Sequence, residues 1–233
     1  MFALFPIIET LVQVGLSLNE LLILQSISKE FKRVINITTL PALVKNLKHG
    51  YSYKFIKILN KQHLSDIDVA IIKGLIINPY IDVKFDDNVA IIVASRNGHL
   101  EFVRLLLEHG AEPKAANNLA ILWASRNRHL DIVRVLLENG ADPKVRENEA
   151  IIKASRNGHL DIVRLLLMYG ADPKAKNNEA IIKASMNGHL EVVKLLLEHG
   201  ADPTARNNLA VLKARKRGHF DIFRLLMLNG GKI

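Results

Sequence analysis

The chain has no cysteine among its 233 residues. That removes disulfides, thiolate metal sites and thiol nucleophiles in one step. Aromatic residues make up only 6%, thin for a surface that stacks bases or sugars. A membrane-crossing run is also missing, since it needs about 20 nearly uninterrupted apolar residues. The apolar opening MFALFPIIETLVQVGLSL is broken by Pro6 and Glu9, and no Lys or Arg precedes Lys29. It therefore lacks the positive region of a signal peptide. No G-x-x-x-x-G-K-[ST], H-E-x-x-H or G-x-G-x-x-G string occurs. These absences predict a non-catalytic, monomeric chain with no cofactor and no membrane, located inside the cell in the cytoplasm.

The chain is 49% hydrophobic and 24% charged, which is ordinary for a folded soluble chain. Its length allows one large or two small domains. Lys and Arg number 32 against 23 Asp and Glu, a net charge of +9. Such an excess raises nucleic acid or another acidic partner as a candidate. Residues 1–80 hold 9 basic and 5 acidic side chains, and residues 81–233 hold 23 and 18. No arm is strongly basic on that division, and aromatic residues are not interleaved. Both points weigh against nucleic acid.

The dominant feature is internal repetition. Asn157-Gly158-His159-Leu160 recurs at 97–100, as Asn127-Arg128-His129-Leu130, at 187–190, and as Arg217-Gly218-His219-Phe220, each 30 residues apart. Five units run from about Asn88 onward without insertion. Identical spacing means identical contacts between neighbours, which is the logic of a solenoid. Each unit predicts two short helices. The first begins at Asn88, Asn118, Asn148, Asn178 or Asn208, where the side chain suits an N-cap. Gly98, Gly158, Gly188 and Gly218 end it, and Arg128 replaces that glycine in the second unit. The second helix, such as 160–168, carries Leu160, Val163, Leu166 and Leu167 on one stripe. Gly110, Gly140, Gly170 and Gly200 end it. Neither helix is stable alone at this length. Stacking must supply the burial, and the Ala94, Ala124, Ala154, Ala184 and Ala214 row permits close approach.

The string G-H-L-[DE]-[IV]-V-[RK]-x-L-L-x-x-G-A-D resembles an ankyrin repeat. The resemblance covers roughly 145 residues and implies an all-α solenoid of paired antiparallel helices. Ankyrin units usually run to about 33 residues and open their first helix with T-P-L-H. Here Glu149-Ala150-Ile151-Ile152 stands in that place, and the unit is 30 residues long. The hairpin tips should therefore be short or missing. In this the chain looks like the ankyrin proteins of large DNA viruses, which would place it in host cell cytoplasm. Residues 49–87 read as a degenerate capping repeat and 88–233 as the five regular units.

Residues 1–48 do not fit the repeat and read as a small helical head. Pro6, Ile8, Leu21, Leu22, Ile27 and Phe31 make this segment similar to an F-box. The resemblance implies contact with a Skp-type adaptor of a cullin ubiquitin ligase. The other reading is an N-terminal cap for the solenoid.

Three rows of polar residues invite chemical readings. His99, His129, His159, His189 and His219 lie one repeat apart, roughly 8–10 Å, too far for one metal ion. They are expected to bond neighbouring backbone. Asp142, Asp172 and Asp202, with Glu112, are expected to accept N–H groups in their turns. Ser95, Ser125, Ser155 and Ser185 have no nucleophile-elbow context.

The variable positions are more informative. Val93, Trp123, Lys153, Lys183 and Lys213 occupy one, and Arg96, Arg126, Arg156, Met186 and Lys216 the other. In ankyrin stacks these positions of the first helix face the concave surface. They predict a basic stripe with one Trp, suited to a protein partner with an acidic surface. The alternatives are a solvated face, an acidic-polymer binder, or a purely structural repeat protein with no ligase link.

Overall fold

The computed structural model describes residues 56–77 and 83–233. The chain divides into two compact units, one holding the described residues 56–58 and 63–77 and the other 59–62 with 83–233. The first contains α1 (Asp66–Ile77). Its start is a capping box. Ser65 Oγ accepts the Asp68 N–H at 3.2 Å, and the Asp68 carboxylate accepts the Ser65 N–H at 3.1 Å. Ile72 and Ile76, one turn apart, are fully buried.

The second unit is five helix pairs. They are α2 (Phe85–Asn97) with α3 (Leu100–Glu108), α4 (Ala115–Arg126) with α5 (Leu130–Glu138), and α6 (Val145–Arg156) with α7 (Leu160–Met168). The last two are α8 (Ala175–Asn187) with α9 (Leu190–Glu198), and α10 (Ala205–Lys216) with α11 (Phe220–Leu228). Each even-numbered helix packs on the next even-numbered one, and each odd-numbered helix from α3 on the next odd-numbered one. Every described element is helical, as the all-α solenoid reading requires.

The core follows directly from the repeat. Ala154 and Ile151 of α6 and Ile162, Val163 and Leu166 of α7 are at most 1% exposed. Burying an Ile or Leu side chain contributes about 1.5–3 kcal/mol, so each unit is held by its neighbours rather than by propensity. Alanine at 94, 124, 154, 184 and 214 is fully buried, which lets the even-numbered helices approach. Both helices of a unit end in the same hydrogen-bonded motif. In α5 the Gly140 N–H reaches Leu137 O at 3.0 Å, and the Ala141 N–H reaches Leu136 O at 2.9 Å. In α6 the corresponding bonds are Gly158 to Ser155 at 3.3 Å and His159 to Ala154 at 3.0 Å. Arg128 takes the glycine place with φ +66°, a left-handed backbone carried by an arginine.

No strand occurs among the described residues, and the hairpin tip is replaced by something the sequence reading did not contain. Three consecutive residues at positions two to four of each even-numbered helix are left-handed, so the regular helix starts only after them. They are Asp86 to Asn88, Ala116 to Asn118, Arg146 to Asn148, Lys176 to Asn178 and Arg206 to Asn208. This corrects the N-cap role expected of the asparagines. Asn148, for example, has φ +62°, and its side-chain oxygen accepts the N–H of Asp172 in the next turn at 2.7 Å. Asn88, Asn118, Asn178 and Asn208 do the same for Glu112, Asp142, Asp202 and Lys232, at 2.6–2.8 Å. Asparagine suits both tasks, because it tolerates the left-handed region and offers an amide oxygen.

Candidate functional site: the variable face of the even-numbered helices

Within α4 the buried residues are Asn118, Ala120, Ile121, Leu122, Ala124 and Ser125. That pattern leaves Leu119, Trp123 and Arg126 on one side, spaced i, i+4 and i+7. The Arg126 guanidinium carbon sits 5.0 Å from the Trp123 ring centroid, within cation–π range. Trp123 is half-buried and Arg126 exposed. The pair forms a flat, partly apolar surface with one fixed charge.

Further along, the same face reads Glu149, Lys153 and Arg156 on α6, then Glu179, Lys183 and Met186 on α8. Sequence reasoning named the lysines and missed the glutamates. Glu149 pairs with Lys153 at 3.4 Å and with Arg146 at 3.2 Å. Glu179 pairs with Lys183 at 3.0 Å and with Arg206 of the following turn at 2.6 Å. The signal was present, since each Glu stands four residues before its Lys, a spacing that brings side chains together on a helix. The two lysines in the middle of the face are therefore each paired with a carboxylate, so the stripe is not uniformly basic. Among the described residues, Arg126, Arg156, Lys213 and Lys216 of this face have no ion pair, and Arg126 alone of them lies over an aromatic ring.

Val93 departs from the expected stripe. It is 9% exposed and contributes to the core instead of the surface. Arg96 lies on the face, and its guanidinium donates to the Asn60 side-chain oxygen. The expected F-box-like residues, Pro6, Ile8, Leu21, Leu22, Ile27 and Phe31, lie outside the described residues.

The histidine row has a positive assignment. Nε2 of His129, His159, His189 and His219 lies 3.0–3.2 Å from the main-chain oxygen of Arg96, Arg126, Arg156 and Met186 respectively. Asn127, Asn157 and Asn187 donate to the first three of those oxygens at 2.7–2.9 Å. Each of α2, α4, α6 and α8 thus has a late carbonyl capped by the following repeat. His99 and Asn97 do the same to Leu59 O, so residues just before the first regular unit act as its predecessor. The aspartates behave as expected: the N–H groups of Lys144, Lys174 and Thr204 donate to Asp142, Asp172 and Asp202 at 2.8–2.9 Å. In the Thr204 turn the hydroxyl also donates, and together these bonds hold the Asp202 carboxyl below the usual carboxylate range.

These observations define a solenoid in which a buried, repeated frame presents variable side chains on its surface, the construction of a protein-interaction scaffold. The family model for ankyrin repeats (three copies) matches residues 47–147 and 150–233, and the chain belongs to the ankyrin-repeat family. None of the curated proteins compared matches the chain. Among the described residues, no helix is long and apolar enough to cross a membrane.

Proposed function

We propose that this scaffold recruits an acidic protein partner on the concave face, through the positions of α4, α6 and α8 that carry Trp123, Lys153 and Lys183. Trp123 and Arg126 anchor it. The carrying observation is the stacked Trp123–Arg126 pair: it sits on a frame whose neighbouring positions are committed to the core, while these two are free to vary. Trp and Arg are the side chains that most often dominate an interface. The balanced Lys153–Glu149 and Lys183–Glu179 pairs then contribute register rather than affinity.

In this reading residues 49–87 form a degenerate capping repeat, and residues 1–48 are the effector end, joining the captured partner to a Skp-type adaptor and a cullin ubiquitin ligase. Two arms test the two halves separately. Purified Skp-type adaptor is captured by the intact chain and lost when residues 1–48 are deleted. Failure of the intact chain to hold the adaptor removes the ligase link and leaves the scaffold. Partners captured by the stack are lost from the Trp123→Ala, Arg126→Ala double variant. Retention of every partner by that variant removes the face.

A further inference from the structure

Arginine recurs at one position of the variable face, and its copies are not equivalent. The Arg96 guanidinium is held by the Asn60 side chain. Met186 and Lys216 replace the arginine in the last two units. That leaves Arg126 and Arg156, both exposed, at the ends of the neighbouring helices α4 and α6. Side chains of the second repeat tie these two ends together. Asn157 donates to Arg126 O at 2.9 Å, and His159 Nε2 lies 3.0 Å from the same oxygen.

A third arginine stands at this junction against the local rules. Arg128 is exposed and has φ +66°, a region in which a residue with a Cβ is strained. Glycine holds the place in the other four units. At Gly98, Gly158 and Gly188 an imidazole of the next repeat lies 2.5–2.7 Å from where a Cβ would stand. A side chain at 128 is therefore opposed twice, by its backbone and by His159 facing it. Strain of this kind collects at functional sites. The Arg128 charge is also felt across the repeat boundary. Burial lowers the His159 pKa, the bond to Arg126 O opposes that, and Arg128 lowers it further. Arg126 and Arg128 thus meet at one imidazole of the next repeat.

Among the described residues, none of these three guanidiniums makes an ion pair or a side-chain hydrogen bond. Arg126 lies over the Trp123 ring instead. Lys153 and Lys183 are each paired with a glutamate. The uncompensated charge in the middle of this face is a point rather than a track. A carboxylate brings one charge and two oxygens to such a point. A phosphate monoester brings a charge of about −1.5 to −2 and three acceptor oxygens, which suit planar guanidinium forks arriving from different directions. A polynucleotide fits less well, because its further phosphates would run along the face onto Glu149 and Glu179.

We infer that Arg126, Arg128 and Arg156 form a recognition site for a phosphoserine or phosphothreonine of the protein partner, with Trp123 packing on the residue beside it. The inference rests on the Trp123–Arg126 reading of the face and gives that partner a chemical class.

The probe is N-acetyl-O-phosphoserine N-methylamide, titrated into the full chain at physiological salt and followed by NMR at the arginine Nε–H and Trp123 indole signals. Saturable shifts are expected at Arg126, Arg128 and Arg156, and the equally capped glutamate should bind about tenfold more weakly or worse. Arg128→Gly is the principal variant. It installs the residue that four other units carry, so the chain stays folded by circular dichroism, yet it should lose about tenfold in affinity. Arg164→Ala, on α7, should bind as the parent does. No saturable shift, equal binding by Arg128→Gly, equal binding of the glutamate probe, or shifts scattered over every basic side chain overturns the proposal. Displacement of the probe by a single-stranded oligonucleotide at lower phosphate concentration also overturns it. Partners that need Trp123 and Arg126 but survive both phosphatase treatment and Arg128→Gly remove the phosphate site and leave the acidic-partner face standing. Partners that ignore the Trp123→Ala, Arg126→Ala change remove the face itself, and the assignment of a phosphate to it falls with that.

Discussion

The side-chain oxygen of Asn148 accepts the main-chain N–H of Asp172 at 2.7 Å, across 24 residues and one repeat boundary. The same asparagine holds φ +62° at the end of a left-handed turn. One side chain therefore satisfies a partly buried donor and relieves a backbone cost. Asn148→Ala removes both effects. The unpaired N–H costs about 1–3 kcal/mol, and alanine in the left-handed region adds about 1 kcal/mol. A loss of about 2–3 kcal/mol is expected in urea unfolding. A midpoint unchanged from the parent chain would show that the bond contributes nothing.

Arg128 and Gly158 occupy equivalent places and should respond in opposite directions. Arg128 sits at φ +66°, so Arg128→Gly relieves left-handed strain and should stabilise by about 0.5–1 kcal/mol. Gly158 sits at φ +74°, and a Cβ added there would come 2.5 Å from His189 Nδ1. Gly158→Ala should therefore destabilise by about 1–2 kcal/mol and disturb the His189 bond to Arg156 O. Thermal unfolding of the two variants beside the parent checks both signs. A lower midpoint for Arg128→Gly means that the arginine makes a contact outweighing its strain.

Much of this was legible because repetition averages out local ambiguity. Glycine ends the first helix in four of the five units, and the left-handed conformation of Arg128 could be read from the glycine it replaces. The histidine bonds followed from spacing alone, since ligands of one metal cannot sit a helix diameter apart. The left-handed turns were not legible. Arg146 and Glu147 have no propensity for that region, and only the recurring Asn after them hinted at it. Tertiary context decides there: the turn is held by the Asn148 bond to the next repeat, which no single unit encodes. At the surface, the Glu149–Lys153 and Glu179–Lys183 pairs were visible at i, i+4 but were passed over for the lysines' charge. The burial of Val93 is likewise a neighbour effect that periodicity does not register.

The buried serines offer a third test. The hydroxyls of Ser95, Ser125, Ser155 and Ser185 have no hydrogen-bond partner, and all four residues are fully buried. A polar group buried without a partner costs about 1–3 kcal/mol. Ser155→Ala deletes the hydroxyl and leaves a small residue that still permits close helix approach. It should raise stability by about 1 kcal/mol, read as a higher denaturant midpoint at unchanged slope. A loss of stability would mean that the hydroxyl bonds a main-chain oxygen of its own helix in solution.

Acid sensitivity should be traceable to His159. Burial pushes its pKa below the ordinary value of about 6.5. The bond to Arg126 O opposes this, while the nearby Arg128 and His189 charges lower it further. The folded chain then binds the proton less readily than the unfolded chain. The stability associated with the neutral imidazole is complete above pH of about 6.5 and is lost as pH falls through the folded value. Asp202 acts in the same direction at lower pH. Its Thr204 bonds favour the carboxylate, so that contribution disappears as pH falls below the ordinary carboxylate range. Arg128→Gly removes one of the charges that depress His159. Its titration midpoint, followed by NMR of the imidazole, should lie below that of a free histidine in the parent chain and move upward in the variant. The fall in unfolding midpoint between pH 7.5 and 5.5 should shrink in parallel. A His159 midpoint that stays fixed when Arg128 is removed would show that burial alone sets it, and the two pH profiles would then run parallel.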